Sequence, residues 1–167
     1  MKKILILLIL VLTLTGCSLG NNPTSKVEDL LSKYQMLDNE IKEEIDKVVS
    51  LEDLTEEEQE RYKKILEKQY RNLTYEIKDE EEDGNRATIT TQIEVIDYGK
   101  AIRQTDNDFA TQEYSKSEYN EAKLTNLENM KETVVYTIEF TVTKDEDGVW
   151  HLDLLSETDK KKLQGMY

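Results

Sequence analysis

The apolar residues of this chain predict an α+β fold, with N-terminal helices packed on a four-stranded antiparallel sheet in the order α-α-β-β-α-β-β-α. Three observations carry that prediction. From Val27 to Tyr70 the apolar residues recur every three or four positions, the period of one helix face. From Leu73 to Val95, and again from Val134 to Leu155, they recur every second position, the period of a half-buried strand. Each pair of strand segments meets at a turn that contains glycine, Gly84-Asn85 and Asp145-Glu146-Asp147-Gly148.

The elements follow in order. Ser25-Lys26-Val27-Glu28 reads as a capping box that starts the first helix. Val27, Leu30, Leu31, Tyr34, Leu37, Ile41, Ile45, Val48 and Val49 form its apolar face, and Asp38-Asn39 marks a kink or break. Ser50 to Leu54 is a short link. Thr55-Glu56-Glu57-Glu58 is a second capping box, with its carboxylates in the first turn, where the helix dipole favours them. Tyr62, Ile65, Leu66 and Tyr70 are the stripe of that helix.

Leu73, Tyr75 and Ile77 then alternate with polar residues. After the acidic run Asp79–Asp83 and the turn, Ala87, Ile89, Thr91, Ile93 and Val95 alternate in the same way. Ile96 and Tyr98 change parity, which predicts a bulge or a strand end near Val95–Asp97. Between Gly99 and Lys131 a helical crossover is expected. Ala101 and Ile102 open it, Thr105–Asp108 forms a polar loop, and Tyr119, Ala122, Leu127 and Met130 share a helix face. Thr133–Thr143 and Val149–Leu155 form the second hairpin, with Trp150, Leu152 and Leu154 on one face of the return strand. Ser156 or Thr158 caps a last helix that uses Leu163 and Met166.

The N-terminus is of another kind. Lys2 and Lys3 precede an uncharged run, Ile4–Thr15, that ends in Leu14-Thr15-Gly16-Cys17. The run is short of the ~20 apolar residues that span a bilayer and fits the core of an export signal. Leu14-Thr15-Gly16-Cys17 resembles the bacterial lipobox. That resemblance implies cleavage between Gly16 and Cys17 and a diacylglyceryl group on the Cys17 thiol. Two acyl chains suffice for stable attachment, since each buried methylene contributes about 0.8 kcal/mol. Residues 1–16 are then a signal peptide, 17–24 the lipidated cysteine and a polar tether, and 25–167 one domain. A tether of that length reaches at most ~25 Å at about 3.3 Å per residue.

Composition narrows the partners. The formal charge is −14, and −16 once Lys2 and Lys3 are removed. Such a body lacks the clustered Lys and Arg of a nucleic-acid or anionic-lipid footprint. Cys17 is the only cysteine, so no intrachain disulfide forms. The abundance of Lys, Glu, Asn and Ile suits an AT-rich genome, and a Gram-positive source with the lipid on the outer face of the cytoplasmic membrane is expected.

Residues for catalysis are sparse. His151 is the sole histidine and falls on the polar face of the last strand, and no Gly-x-Ser-x-Gly elbow occurs. Zinc lacks ligands. Asp106-Asn107-Asp108 and Asp145–Gly148 are rich in oxygen but lack the calcium-loop spacing, so they read as a solvated loop and a hairpin turn. No cofactor is expected. Nine Tyr stand against two Phe. Tyr34, Tyr62, Tyr70, Tyr75 and Tyr136 all occupy apolar-phase positions, which reads either as core packing or as the lining of a pocket.

The element order from Ser25 to Leu155, with its final Asp-Gly-Val-Trp hairpin, resembles the cystatin-like cone fold of the nuclear transport factor 2-like superfamily and its small bacterial lipoproteins. The resemblance implies a long helix wrapped by a curved sheet. That superfamily holds enzymes and binding modules alike, so it leaves activity open. The expectation is a non-enzymatic, exported binding module for a small ligand or an envelope partner. The alternatives are a structural or protein-interaction lipoprotein and, behind it, a cone-fold enzyme.

Overall fold

The structure is a computed structural model and describes residues 21–111 and 113–167. The signal peptide, Gly16 and Cys17 lie outside the described residues. Helix α1 spans Pro23–Met36 and α2 spans Asn39–Ser50. The break between them falls at Leu37, whose φ of 51° is left-handed. An L-residue there costs roughly 1–2 kcal/mol, and Leu37 is held by burial of its side chain in the core. Asp38 then caps α2 by accepting from Ile41 N at 3.0 Å.

The start of α1 differs from expectation. Its N-cap is Asn22, whose side chain accepts from Ser25 N at 2.7 Å, with Pro23 in the first turn. A proline at N1 is preset for the helix and removes a donor that would have no partner there. Ser25 therefore lies inside the helix, and residues 21–24 belong to the folded body and not to a tether. Helix α3, Glu56–Asn72, begins with the expected Thr55–Glu58 box.

Strands β1 (Thr74–Asp83) and β2 (Arg86–Ile96) form the first hairpin. Gly84 has a φ of 62°, as the first central residue of a two-residue turn requires. The acidic run is not a loop, because Asp79 to Asp83 pair with Thr90 to Arg86. An edge strand exposed on both faces tolerates them, and charge there blocks pairing with other chains. The bulge lies in β1, between Ile77 and Asp79, while β2 ends at Ile96.

The crossover is a helical hairpin, α4 (Tyr98–Phe109) and α5 (Lys116–Asn129). Thr105–Asp108, expected as a loop, is the last part of α4. Thr105 is buried against α5, where Asn126 Nδ2 donates to its hydroxyl at 2.9 Å. The buried face of α5 is Asn120, Leu124 and Leu127, and Met130 at its C-cap packs against the core; Leu127 and Met130 fall where expected, whereas Tyr119 and Ala122 are only half-buried. Strand β3 runs Thr133–Lys144, and β4 covers Trp150–Leu152 alone. After one further bond, Asp153 N to Thr141 O at 2.9 Å, the chain leaves the sheet, and Leu154 is wholly exposed instead of facing the core. Helix α6, Glu157–Leu163, is capped by Ser156.

Among the described residues, six helices and four strands give an open antiparallel sheet ordered β1-β2-β3-β4. Its inner face (Ile89, Ile93, Ile138, Phe140) meets Val27 and Leu31 of α1 and Leu66 and Tyr70 of α3 in one core. Each such side chain contributes about 1.5–3 kcal/mol on full burial. The outer face is polar, as antiparallel sheets allow.

Candidate functional site

The early end of β4 creates a groove. After Asp153 the chain leaves the sheet and runs through Leu154 and Leu155 to α6, and the space between this stretch and the α1–α2 corner stays open. Its volume is about 720 Å³, within the range of small-molecule sites. Leu30 and Tyr34 of α1 line one wall, Val48 of α2 and its C-cap Leu51 a second, and Leu152 and Leu155 a third. Leu51 and Leu154 stand at the lip, 79% and 101% exposed, with nothing apolar over them.

Polar groups sit around this apolar body. The Tyr34 hydroxyl donates to Glu44 Oε2 at 3.2 Å. Burial first, and the Glu44 charge second, push the phenol well above its ordinary range. Lys160 pairs with Glu157 at 2.7 Å. Asp153 accepts from the Thr143 hydroxyl at 3.0 Å. Lys47 and Lys161 also line the groove, and neither has an ion pair among the described residues. Among the described residues Glu44 and Asp153 have no ion pair either, so the groove is lined by three lysines and three carboxylates and carries no net charge.

The five tyrosines do not surround one cavity. Tyr34 lines the groove and Tyr70 lies behind it, with ring centroids 4.8 Å apart. Tyr62 is in the core, with its hydroxyl 3.6 Å from Met166 Sδ. Tyr75 is half-buried on β1 and borders a shallow depression with Gln92 and Val135. Tyr136 donates to the Tyr167 carbonyl at 2.9 Å. The residues missed from the sequence are Lys47, Lys161 and the Leu152–Leu155 stretch. Adjacent Leu154 and Leu155 break the two-residue alternation, and that was the available signal.

The other oxygen-rich stretches are structural. Asp106 accepts from the Tyr119 hydroxyl at 2.5 Å, and burial, followed by that bond, pushes the Tyr119 phenol up to about 12. In the β3–β4 turn, Asp145 Oδ1 accepts from Asp147 N and Val149 N, and His151 Nε2 lies 2.7 Å from Asp145 Oδ2. No group of three or more His, Cys, Asp or Glu suited to a metal occurs among the described residues.

Comparison with known proteins bears on the N-terminus. The pattern described as a prokaryotic membrane lipoprotein lipid attachment site matches residues 1–18, which include Leu14-Thr15-Gly16-Cys17. The chain is a membrane-anchored lipoprotein, and no helix among its described residues is long and apolar enough to cross a membrane. Among solved structures it is similar to a Bacillus subtilis protein described as a candidate lipoprotein, at 12% identity and a TM-score of 0.41. The match covers 86% of this chain and 47% of that one, so this chain spans about half of its length. No curated protein matches the chain.

Proposed function

We propose that this lipoprotein is a non-enzymatic binding module, held by lipid on Cys17 at the outer face of the cytoplasmic membrane of a Gram-positive cell. Residues 1–16 are removed on export and the domain from residue 21 onward does the binding. Its ligand is a small molecule with an apolar body. The observation that supports this reading is the groove itself, with leucines at the lip and an apolar floor ringed by charges of both signs. Covering an exposed leucine contributes about 1.5–3 kcal/mol.

Nothing in this reading calls for proton transfer. Glu44 and Tyr34 are bonded to each other, and His151 lies on the β3–β4 hairpin and not among the groove's lining residues. The kinship with cone-fold binding modules belongs to the same reading and rests on element order.

The test is mass spectrometry, native against denaturing, on the chain from Asn21 onward exported by its own host. An added mass lost on denaturation is expected, and Val48→Asp should reduce the fraction of protein that carries it several-fold. A bare mass in the native spectrum would turn the reading to an envelope protein as partner, for which the exposed Leu51 and Leu154 are the specific observation.

A further inference from the structure

The two hairpin turns lie at the same end of the sheet. Lys144 N donates to Asn85 O at 2.7 Å, and Arg86 pairs with Thr143. Asn21 is fastened at that end by both atoms of its amide. Its Nδ2 donates to Gly148 O and its Oδ1 accepts from Trp150 N, each at 2.7 Å. The first turn of α1 is tied there as well, with the Thr24 hydroxyl donating to Glu80. Cys17 precedes Asn21 by four residues. Four extended residues span at most ~14 Å. A lipid on Cys17 puts that residue at the bilayer interface, so the hairpin end stands within about that distance of the headgroups. The far end of the sheet, where Ile96 pairs with Thr133, is the length of β2 away. At about 3.3 Å per residue that is roughly 36 Å.

We propose that the end of the sheet carrying Gly84-Asn85 and Asp145–Gly148 is a lipid-facing surface, and that its partner is the headgroup layer of the membrane in which the chain is anchored. The proposal rests on lipidation of Cys17 and is independent of what the groove binds. The short chain between Cys17 and Asn21 leaves the domain little freedom to present another end, and the fixed point is the hydrogen-bonded Asn21 amide. The end carrying Met130–Thr133, by contrast, points into the space beyond the membrane.

The experiment uses the full chain, exported and lipidated by a bacterial host and reconstituted into phosphatidylcholine vesicles that contain a headgroup-attached quencher. A fluorophore is placed on Glu146→Cys or, in a separate sample, on Lys131→Cys. Both positions are exposed, and the thioether at Cys17 takes no label. Flotation with the vesicles is measured first; protein that fails to float means that the anchor itself is wrong. With floated protein, quenching several-fold greater at residue 146 than at residue 131 is the expected result. Equal quenching at the two positions, as for a domain lying on its side, or greater quenching at residue 131, would overturn the proposal.

Discussion

Thr91 is fully buried on the inner face of β2, and its hydroxyl has no hydrogen-bond partner among the described residues. An orphaned buried hydroxyl costs about 1–3 kcal/mol. Valine has the same shape without the oxygen, so Thr91→Val should stabilise the protein by about 1 kcal/mol. A urea midpoint that moves down would show that the hydroxyl has a partner in solution. Asp145 is the opposite case, an exposed group with too many donors to be indifferent to protonation. The Val149 N–H, then the His151 ring, then the Asp147 N–H hold its carboxyl below the usual range. A depressed folded-state pKa contributes stability that is present above the unfolded value, about 3.9, and is lost as pH falls through the lower folded value. Asp145→Asn keeps an acceptor for the turn but cannot titrate. The variant should show a shallower fall in melting temperature below about pH 4 than the parent, and parallel acid limbs would count against this account.

At the scale of elements, the joint between α3 and the end of β2 is held by one side chain. Gln69 is fully buried, donating to Ile96 O at 2.9 Å and accepting from Ile96 N at 3.0 Å. The C-terminal turn closes over the same place. A Cβ on Gly165 would come within 2.0 Å of Ile96 O, and the φ of 68° is left-handed as well. Gln69→Leu fills similar space and orphans both backbone groups of Ile96, so a loss of about 2–4 kcal/mol is expected, with the urea m-value unchanged. Retention of the parental midpoint would mean that Ile96 finds other partners. This joint also marks where sequence reading stops. The Thr55–Glu58 box, the two hairpins and the α1–α2 break were legible because each is decided within four or five residues by a cap, a turn glycine or a period. Gln69 looks like any polar residue of an amphipathic helix, and only the arrival of β2 makes it a core residue. Thr105–Asp108 misled for a related reason. Its composition favours a loop, but contact with Asn126 across 21 residues holds it as helix. The groove was legible only in the broken alternation at Leu154-Leu155, because the α1–α2 corner is closed into a groove by a stretch from the other end of the chain.

The whole molecule is a strongly acidic body on a short leash, and both properties can be read at the membrane. Cys17→Ala should leave the protein unprocessed or free of lipid, and its loss from the membrane fraction is the measurement; full retention would remove the anchor. With the anchor in place, charge decides how the body stands on it. Glu80–Asp83 and Asp145–Asp147 sit at the hairpin end, with Arg86 and Lys144 as counter-charges. That end is brought to the headgroups by the tie at Asn21, so it meets any anionic lipid at close range. Repulsion there is Coulombic and passes through water, which makes it sensitive to salt. Screening lengths run from ~30 Å at 0.01 M to ~3 Å at 1 M ionic strength. On vesicles rich in phosphatidylglycerol, the label at residue 146 should therefore be quenched less than on phosphatidylcholine at low salt, and high salt should restore the difference. On neutral vesicles salt should change little. Quenching on the anionic vesicles that ignores salt would mean that the carboxylates at the hairpin tips do not face the bilayer. The lever is the same ~14 Å of chain that fixes the orientation. Lengthening it with a flexible Gly-Ser insert between Gly20 and Asn21 should weaken both the contrast between residues 146 and 131 and its dependence on salt, since a longer leash lets the acidic end retreat from the surface that repels it.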